Sequence, residues 1–208
     1  MIRELASNKE LAEKINPSTR LKRIVKEIHN YTSDPHPFIQ IFPGKEDISF
    51  WKVLLKGPEA TPYAGGAFIL YVTFSGEYPR EPPNIRFLTP IYHCNINSQG
   101  RICHSVLDRN YTVDTPMKVI FDCIFGLLLT PEPEDPLGIY IYKNQILLTS
   151  LFNLYVDNYL ATEFLSEREK YEEHARKLTE SKAGKNLDAL IVEFLGNNTH
   201  YKFREFIC

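Results

Sequence analysis

Apolar positions Leu21, Ile24, Val25 and Ile28 recur at the i, i+3, i+4, i+7 spacing of a helix with one buried face. Asn16 offers its N-cap and Pro17 its first helical position. Asp34-Pro35-His36-Pro37 breaks the pattern, and the period then shortens. Phe38–Phe42, Phe50–Lys56, Ala67–Phe74 and Ile85–Leu88 read as four strands with loop punctuation between them. Short gaps between consecutive strands favour an antiparallel meander, one face buried and the other open to solvent or a partner. Trp51, Phe68 and Tyr71 are read as core or sheet-face packing. After Asp114-Thr115-Pro116, a cap and start signal, Met117 to Leu129 is apolar nearly all round, which predicts a buried helix with Cys123 as inert core. Asp157 can cap a helix over Tyr159–Leu165, and Ser166 with Glu169 makes a capping box for Glu167–Ser181. Leu187, Leu190, Ile191, Phe194 and Leu195 then repeat at helical spacing before Gly196, as an amphipathic extension that docks on its own domain or meets a partner. The class is α+β.

Two stretches stand outside this pattern. Residues 1–16 scatter Leu5, Leu11 and Ile15 among charges and read as an N-terminal arm. Residues 138–156, from Gly138-Ile139-Tyr140 to Leu154-Tyr155-Val156, are strongly apolar and read as an insertion. A membrane span needs about 20 apolar residues, and Lys143-Asn144-Gln145 would lie inside this one, so membrane attachment is not the favoured reading. The organisation is then an arm over 1–16, a domain over 17–181 interrupted at 138–156, and an extension over 182–208.

Composition narrows the class of partner. The chain has 208 residues, 43% hydrophobic and 24% charged, with a net charge of -2, enough for one core of about 150 residues plus extensions. This balance argues against nucleic acid as the partner and favours other proteins. The first residues hold no apolar run of signal-peptide length, so a cytoplasmic or nuclear location with reduced thiols is expected. Cys94, Cys103, Cys123 and Cys208 form no C-x-x-C pair, which speaks against a structural metal site. No glycine-rich phosphate loop is evident, so no bound cofactor is expected.

The candidate chemistry lies in Tyr92-His93-Cys94-Asn95-Ile96-Asn97-Ser98-Gln99-Gly100-Arg101-Ile102-Cys103-His104-Ser105. Gln99-Gly100 is a turn signal, because glycine adopts positive φ cheaply, so the chain doubles back and brings Asn95 towards Cys103. That arrangement suits thiol chemistry beside an amide donor. A Cys103/His104 hydrolase pair is disfavoured, since neighbours in an extended segment point to opposite sides.

Ile91 to Cys103 resembles the active-site segment of ubiquitin-conjugating enzymes, whose usual His-Pro-Asn triplet stands here as His93-Cys94-Asn95. Lys56-Gly57-Pro58, Pro62-Tyr63-Ala64-Gly65-Gly66, Tyr78-Pro79-Arg80-Glu81-Pro82-Pro83 and Thr130-Pro131-Glu132-Pro133-Glu134-Asp135-Pro136-Leu137 follow the family's order and spacing. The resemblance covers residues 17–137 and 157 to about 180, and Leu137 joined to Asp157 would restore the family's continuous sequence.

The resemblance implies an enzyme: Cys103 accepts ubiquitin or a ubiquitin-like protein as a thioester from the activating enzyme, which consumes the ATP. Cys103 then passes it to an acceptor lysine or a ligase. It further implies that Asn95 donates to the developing oxyanion or braces the facing loop, that Asp135 orients or deprotonates the acceptor, and that Ser105 occupies a gate position that is often acidic. His93 and Tyr92 are structural neighbours of the site. Lys22 and Arg23, on the basic side of the first helix, become contacts for the activating enzyme. Arg80 stands in the loop that holds partner ligases of the RING or U-box type, where several members have an aromatic residue. Cys94 in place of proline is expected to loosen the turn and to add a second thiol near the first. The competing function is a catalytically weak or silent ubiquitin-binding variant, favoured by the insertion beside Asp135 and opposed by the presence of Cys103.

Overall fold

A computed structural model describes residues 19–133, 159–184 and 187–196. The arm, Asn16-Pro17, Asp135, the insertion, Asp157 and Cys208 lie outside the described residues. Helix α1 (Thr19–Ser33) leads into strands β1 (Ile39–Pro43), β2 (Phe50–Lys56), β3 (Ala67–Thr73) and β4 (Asn84–Phe87). The strands form one antiparallel sheet in sequential order. Helix α2 (Met117–Leu129), a helical stretch α3 over 159–166, helix α4 (Arg168–Ala183) and helix α5 (Leu187–Gly196) complete the described chain. No helix among the described residues is long and apolar enough to cross a membrane.

Strand alternation sorts the sheet into two faces. Trp51, Val53 and Leu55 of β2 point into the main core with Phe68, Leu70 and Val72 and with Ile120, Phe121 and Ile124 of α2. Leu54 points the other way, as the two-residue period requires. There it meets Ala67 and Leu190, so α5 docks on the outer face that the meander left open. Tyr71, also on that face, is half-buried.

The helices depart from their predicted surfaces in three places. Val25 is 37% exposed and Glu27 is 3% exposed, because the face turned to the core runs through Ile24, Glu27 and Tyr31 at spacings of three and four. α2 is not apolar all round: Val119, Asp122 and Leu129 reach solvent and Cys123 is only half-buried. Of the four predicted caps, the two that fall on described residues are not realised. Pro116 has no side chain able to cap α2, and the Met117 N–H is accepted instead by Glu27 Oε2 of α1 at 2.9 Å. Glu167 precedes α4 without a side-chain cap, and the Ser166 hydroxyl donates to the Thr162 carbonyl at 2.7 Å. Ser166 still belongs to the preceding helical stretch, so its oxygen faces back along α3.

Glu27 joins two elements far apart in sequence. Its other oxygen accepts from Arg23 Nε at 2.5 Å, while the Arg23 guanidinium also donates to the carbonyls of Val113 and Thr115. A buried carboxylate is tolerable here because it receives both a guanidinium and a helix N-terminal N–H.

Candidate active site

The segment after β4 is drawn into a compact loop by backbone bonds before any side chain acts. Gly100 has φ 74°, and a Cβ there would sit 1.9 Å from the Phe87 carbonyl oxygen. Only glycine allows this reversal at this distance. The Phe87 N–H donates to the Gly100 carbonyl at 2.9 Å, Ile96 bridges Ile102, and the Cys103 N–H donates to the Asn95 carbonyl at 2.8 Å. Asn95 and Cys103 are thereby brought together.

Asn95 is fully buried and its side chain reaches across to the Thr130–Pro133 wall. Its Nδ2 donates to the Glu132 carbonyl at 2.7 Å and its Oδ1 accepts from the Glu132 N–H at 2.9 Å. One amide thus closes a two-point clasp on a backbone unit 37 residues away, while its own carbonyl holds Cys103. The bracing role among the two offered for Asn95 has this geometry behind it.

His93 is fixed from both ring nitrogens. Nδ1 accepts from the Asn95 N–H at 3.0 Å, which leaves the proton on Nε2 to be donated to the Leu127 carbonyl at 3.0 Å in the last turn of α2. Burial pushes its pKa from 6.5 down to about 4, against a smaller upward influence of the Leu127 bond. The ring is a neutral strut between α2 and the loop.

The three described thiols differ by environment. Cys103 is half-buried. Cys94 is 1% exposed, packs with Leu160, Ala161, Phe164 and Tyr171, and burial pushes its thiol up to about 11. The expectation of a loosened turn is corrected. Cys94 keeps an N–H that proline lacks, and that N–H donates to the Tyr171 hydroxyl at 3.0 Å. Cys123 has its pKa raised by burial and then by Asp122 and Glu132 nearby.

The remaining predicted residues spread out. Ser105 opens a 3₁₀ turn (Ser105–Leu107) and its hydroxyl accepts from Asn110 Nδ2 at 3.0 Å. Tyr92 donates its phenolic proton to Glu163 and its carbonyl accepts from the Tyr63 hydroxyl at 2.8 Å. Lys22 is exposed, whereas Arg23 is engaged inside the chain, because its fork matches the carbonyls of Val113 and Thr115 as well as Glu27. Arg80 lies far out in solvent, paired with Glu77 at 3.3 Å. Its loop is anchored by the Tyr111 hydroxyl, which donates to the Pro79 carbonyl at 2.8 Å. Asp135 lies outside the described residues. No cluster of His, Cys, Asp or Glu able to hold a metal ion occurs among the described residues.

Around the loop stand His104, weighed in the sequence only as a partner for Cys103, and Glu163 and Tyr171, which the sequence did not single out. His104 turns Nε2 towards Glu132 Oε1 at 3.9 Å, and its Nδ1 accepts from the Val106 N–H at 3.0 Å. Glu163 is buried and accepts from Tyr92 and Tyr159, with Lys170 and His174 beside it. Burial works against its charge, yet these donors win and hold its pKa below the usual carboxylate range. Tyr171, Ala175, Thr179 and Ala183 form the buried stripe of α4, and that spacing of four was the one available signal for Tyr171.

A sequence model of the family described as ubiquitin-conjugating enzyme matches residues 23–160. The chain is 41% identical over 172 residues to "Probable bifunctional E2/E3 enzyme" of Acanthamoeba polyphaga mimivirus, covering 81% of this chain but only 13% of that protein. It is 40% identical over 116 residues to ubiquitin-conjugating enzyme E2 13 of Schizosaccharomyces pombe, covering 56% of this chain and 78% of that one. It is 33% identical over 168 residues to ubiquitin-conjugating enzyme E2 S of Homo sapiens, covering 81% of this chain and 67% of that one. With a four-stranded meander flanked by helices and a thiol held on a buried histidine–asparagine loop, these matches make the chain a member of the ubiquitin-conjugating enzyme family.

Proposed function

We propose that Cys103 accepts ubiquitin or a ubiquitin-like protein from an activating enzyme and passes it to a lysine amine or onward through a ligase. One observation carries this reading: Asn95 holds Cys103 by its backbone and the Glu132 wall by its side chain, fixing that wall to the segment that bears a half-buried thiol. In loading, the Cys103 sulfur attacks the incoming thioester carbonyl, a new C–S bond forms, and the activating enzyme's sulfur leaves. Thiolate character suffices for this exchange between like leaving groups. In transfer, an acceptor amine attacks the same carbonyl, an amide C–N bond forms, and the Cys103 sulfur departs.

Removing the proton of a lysine near pKa 10.4 is worth roughly 4–5 kcal/mol at neutral pH. Asp135 is assigned to receive and orient that amine, and desolvation on binding supplies the lowering. Asn95 acts by keeping the wall fixed as charge develops. ATP is consumed by the activating enzyme. Lys22 is the exposed member of the α1 pair for docking that enzyme, and Arg80 faces the ligase.

The test is a loading reaction with activating enzyme, ATP and ubiquitin, resolved on a non-reducing gel. The parent and the Cys94→Ala and Cys123→Ala variants should form a reducible adduct, Cys103→Ala none, and Cys103→Ser a thiol-resistant ester. A reducible adduct on Cys103→Ala would overturn the assignment.

A further inference from the structure

Three hydroxyl and amide groups behind the active-site loop form one closed set. The Cys94 N–H donates to the Tyr171 hydroxyl at 3.0 Å. That hydroxyl lies 3.4 Å from the Tyr63 hydroxyl and 3.5 Å from the Tyr92 carbonyl, while Tyr63 donates to the Tyr92 carbonyl at 2.8 Å. Cys94, Tyr63 and Tyr171 are each 1% exposed, so water cannot stand in for a missing member. The Cys94 bond in this set exists only because residue 94 is not proline, which has no N–H to give.

Its position relative to the chemistry is short and direct. Cys94 precedes Asn95, whose carbonyl holds the Cys103 N–H and whose side chain clasps Glu132. Tyr171 belongs to α4, which with α3 packs on Cys94 through Phe164, Leu160 and Ala161. A second tie, from the Tyr92 phenol to Glu163 of α3, runs beside the first.

We infer that Tyr171 is a positioning residue for the transfer step: through the Cys94 N–H its hydroxyl sets the orientation of Asn95, and hence the spacing between Cys103 and the Glu132 wall. This rests on the proposed thioester chemistry at Cys103. The cysteine at 94 reaches Asn95 in two ways: through the backbone N–H that Tyr171 receives, and through its thiol, which donates to Asn95 Oδ1 at 3.3 Å.

Four variants test this: Tyr171→Phe, Cys94→Pro, the two combined, and Cys94→Ala, which removes the thiol and its bond to Asn95 Oδ1 but keeps the N–H and so is the reference for Cys94→Pro. Loading with ubiquitin is measured first and reports folding and the Cys103 assignment by itself. Single-turnover discharge to free lysine over a range of lysine concentrations then separates the rate constant from the apparent affinity. Tyr171→Phe against the parent, and Cys94→Pro against Cys94→Ala, are expected to load equally and to lower the rate constant by about three- to tenfold with lysine affinity unmoved. The combined variant is expected to be no slower than Cys94→Pro, because both changes remove the same bond. Parental discharge by Tyr171→Phe, independent multiplying effects in the combined variant, or a Cys94→Pro that discharges as fast as Cys94→Ala would each overturn the inference. A parent that fails to load would instead remove the thioester reading on which it depends.

Discussion

Acid should strip stability from this protein through a single buried ring. His93 is held neutral, Nδ1 accepting from the Asn95 N–H and Nε2 donating to the Leu127 carbonyl. Its pKa falls from 6.5 to about 4 on folding. As pH drops, the unfolded chain takes up the proton first, so the contribution is complete above the unfolded value and is lost as pH falls towards the folded one. With those two values, linkage removes about 2 kcal/mol by about pH 5 and about 3 kcal/mol by pH 4. The informative variant is His93→Asn, whose Oδ1 can still accept from the Asn95 N–H but cannot titrate. Guanidinium unfolding followed by the single tryptophan, buried Trp51, gives stability at each pH for both proteins. Near pH 8 the variant should be less stable by about 1–3 kcal/mol, from the lost Leu127 bond and the lost ring volume. Near pH 5 that gap should shrink by about 2 kcal/mol, since only the parent is losing the histidine contribution. Carboxylates such as Glu163, and His36, are common to both proteins and cancel in the difference. A gap that stays constant between pH 8 and pH 5 would refute a neutral, buried His93.

Asn95→Ala removes both bonds to Glu132 but leaves the backbone carbonyl that holds Cys103, so it should load normally and discharge to lysine on the order of tenfold or more slowly; single-turnover discharge at the parental rate would contradict the clasp. Glu27→Ala leaves Arg23 partly buried without its carboxylate and the Met117 N–H without an acceptor, and should lower stability by on the order of 2–4 kcal/mol in chemical denaturation. The exposed Glu173→Ala should unfold at the parent's denaturant midpoint, and equal losses in the two would show that Glu27 does nothing special. Deleting residues 138–156 removes an apolar run from between two independently anchored parts, Glu132 on one side and Leu160 to Tyr171 on the other. Thermal midpoint and soluble yield should both rise with loading intact, and a fall in midpoint would mark the run as part of the fold.

The helix at the start, the four strands and the buried helix were legible because each has a period that its own residues display. β2 begins and ends where the pattern put it, and β1, β3 and β4 differ by a residue at one or both ends. The loop that returns Asn95 to Cys103 was legible too, since Gly100 is a local signal for a local reversal. Periodicity says which positions share a face but not what that face will meet. Glu27 reads as an ordinary polar position until the Met117 N–H and the Arg23 fork arrive around it from outside its own turn. Cys94 reads as a weakened turn until Tyr171, 77 residues on, receives its N–H. Asn95 offers two roles in sequence, and the bonds to Glu132, 37 residues on, are what give one of them its geometry. These partners carry no spacing that a chain can display, because the bonds exist only once close packing has excluded water and left each buried donor a single acceptor within reach.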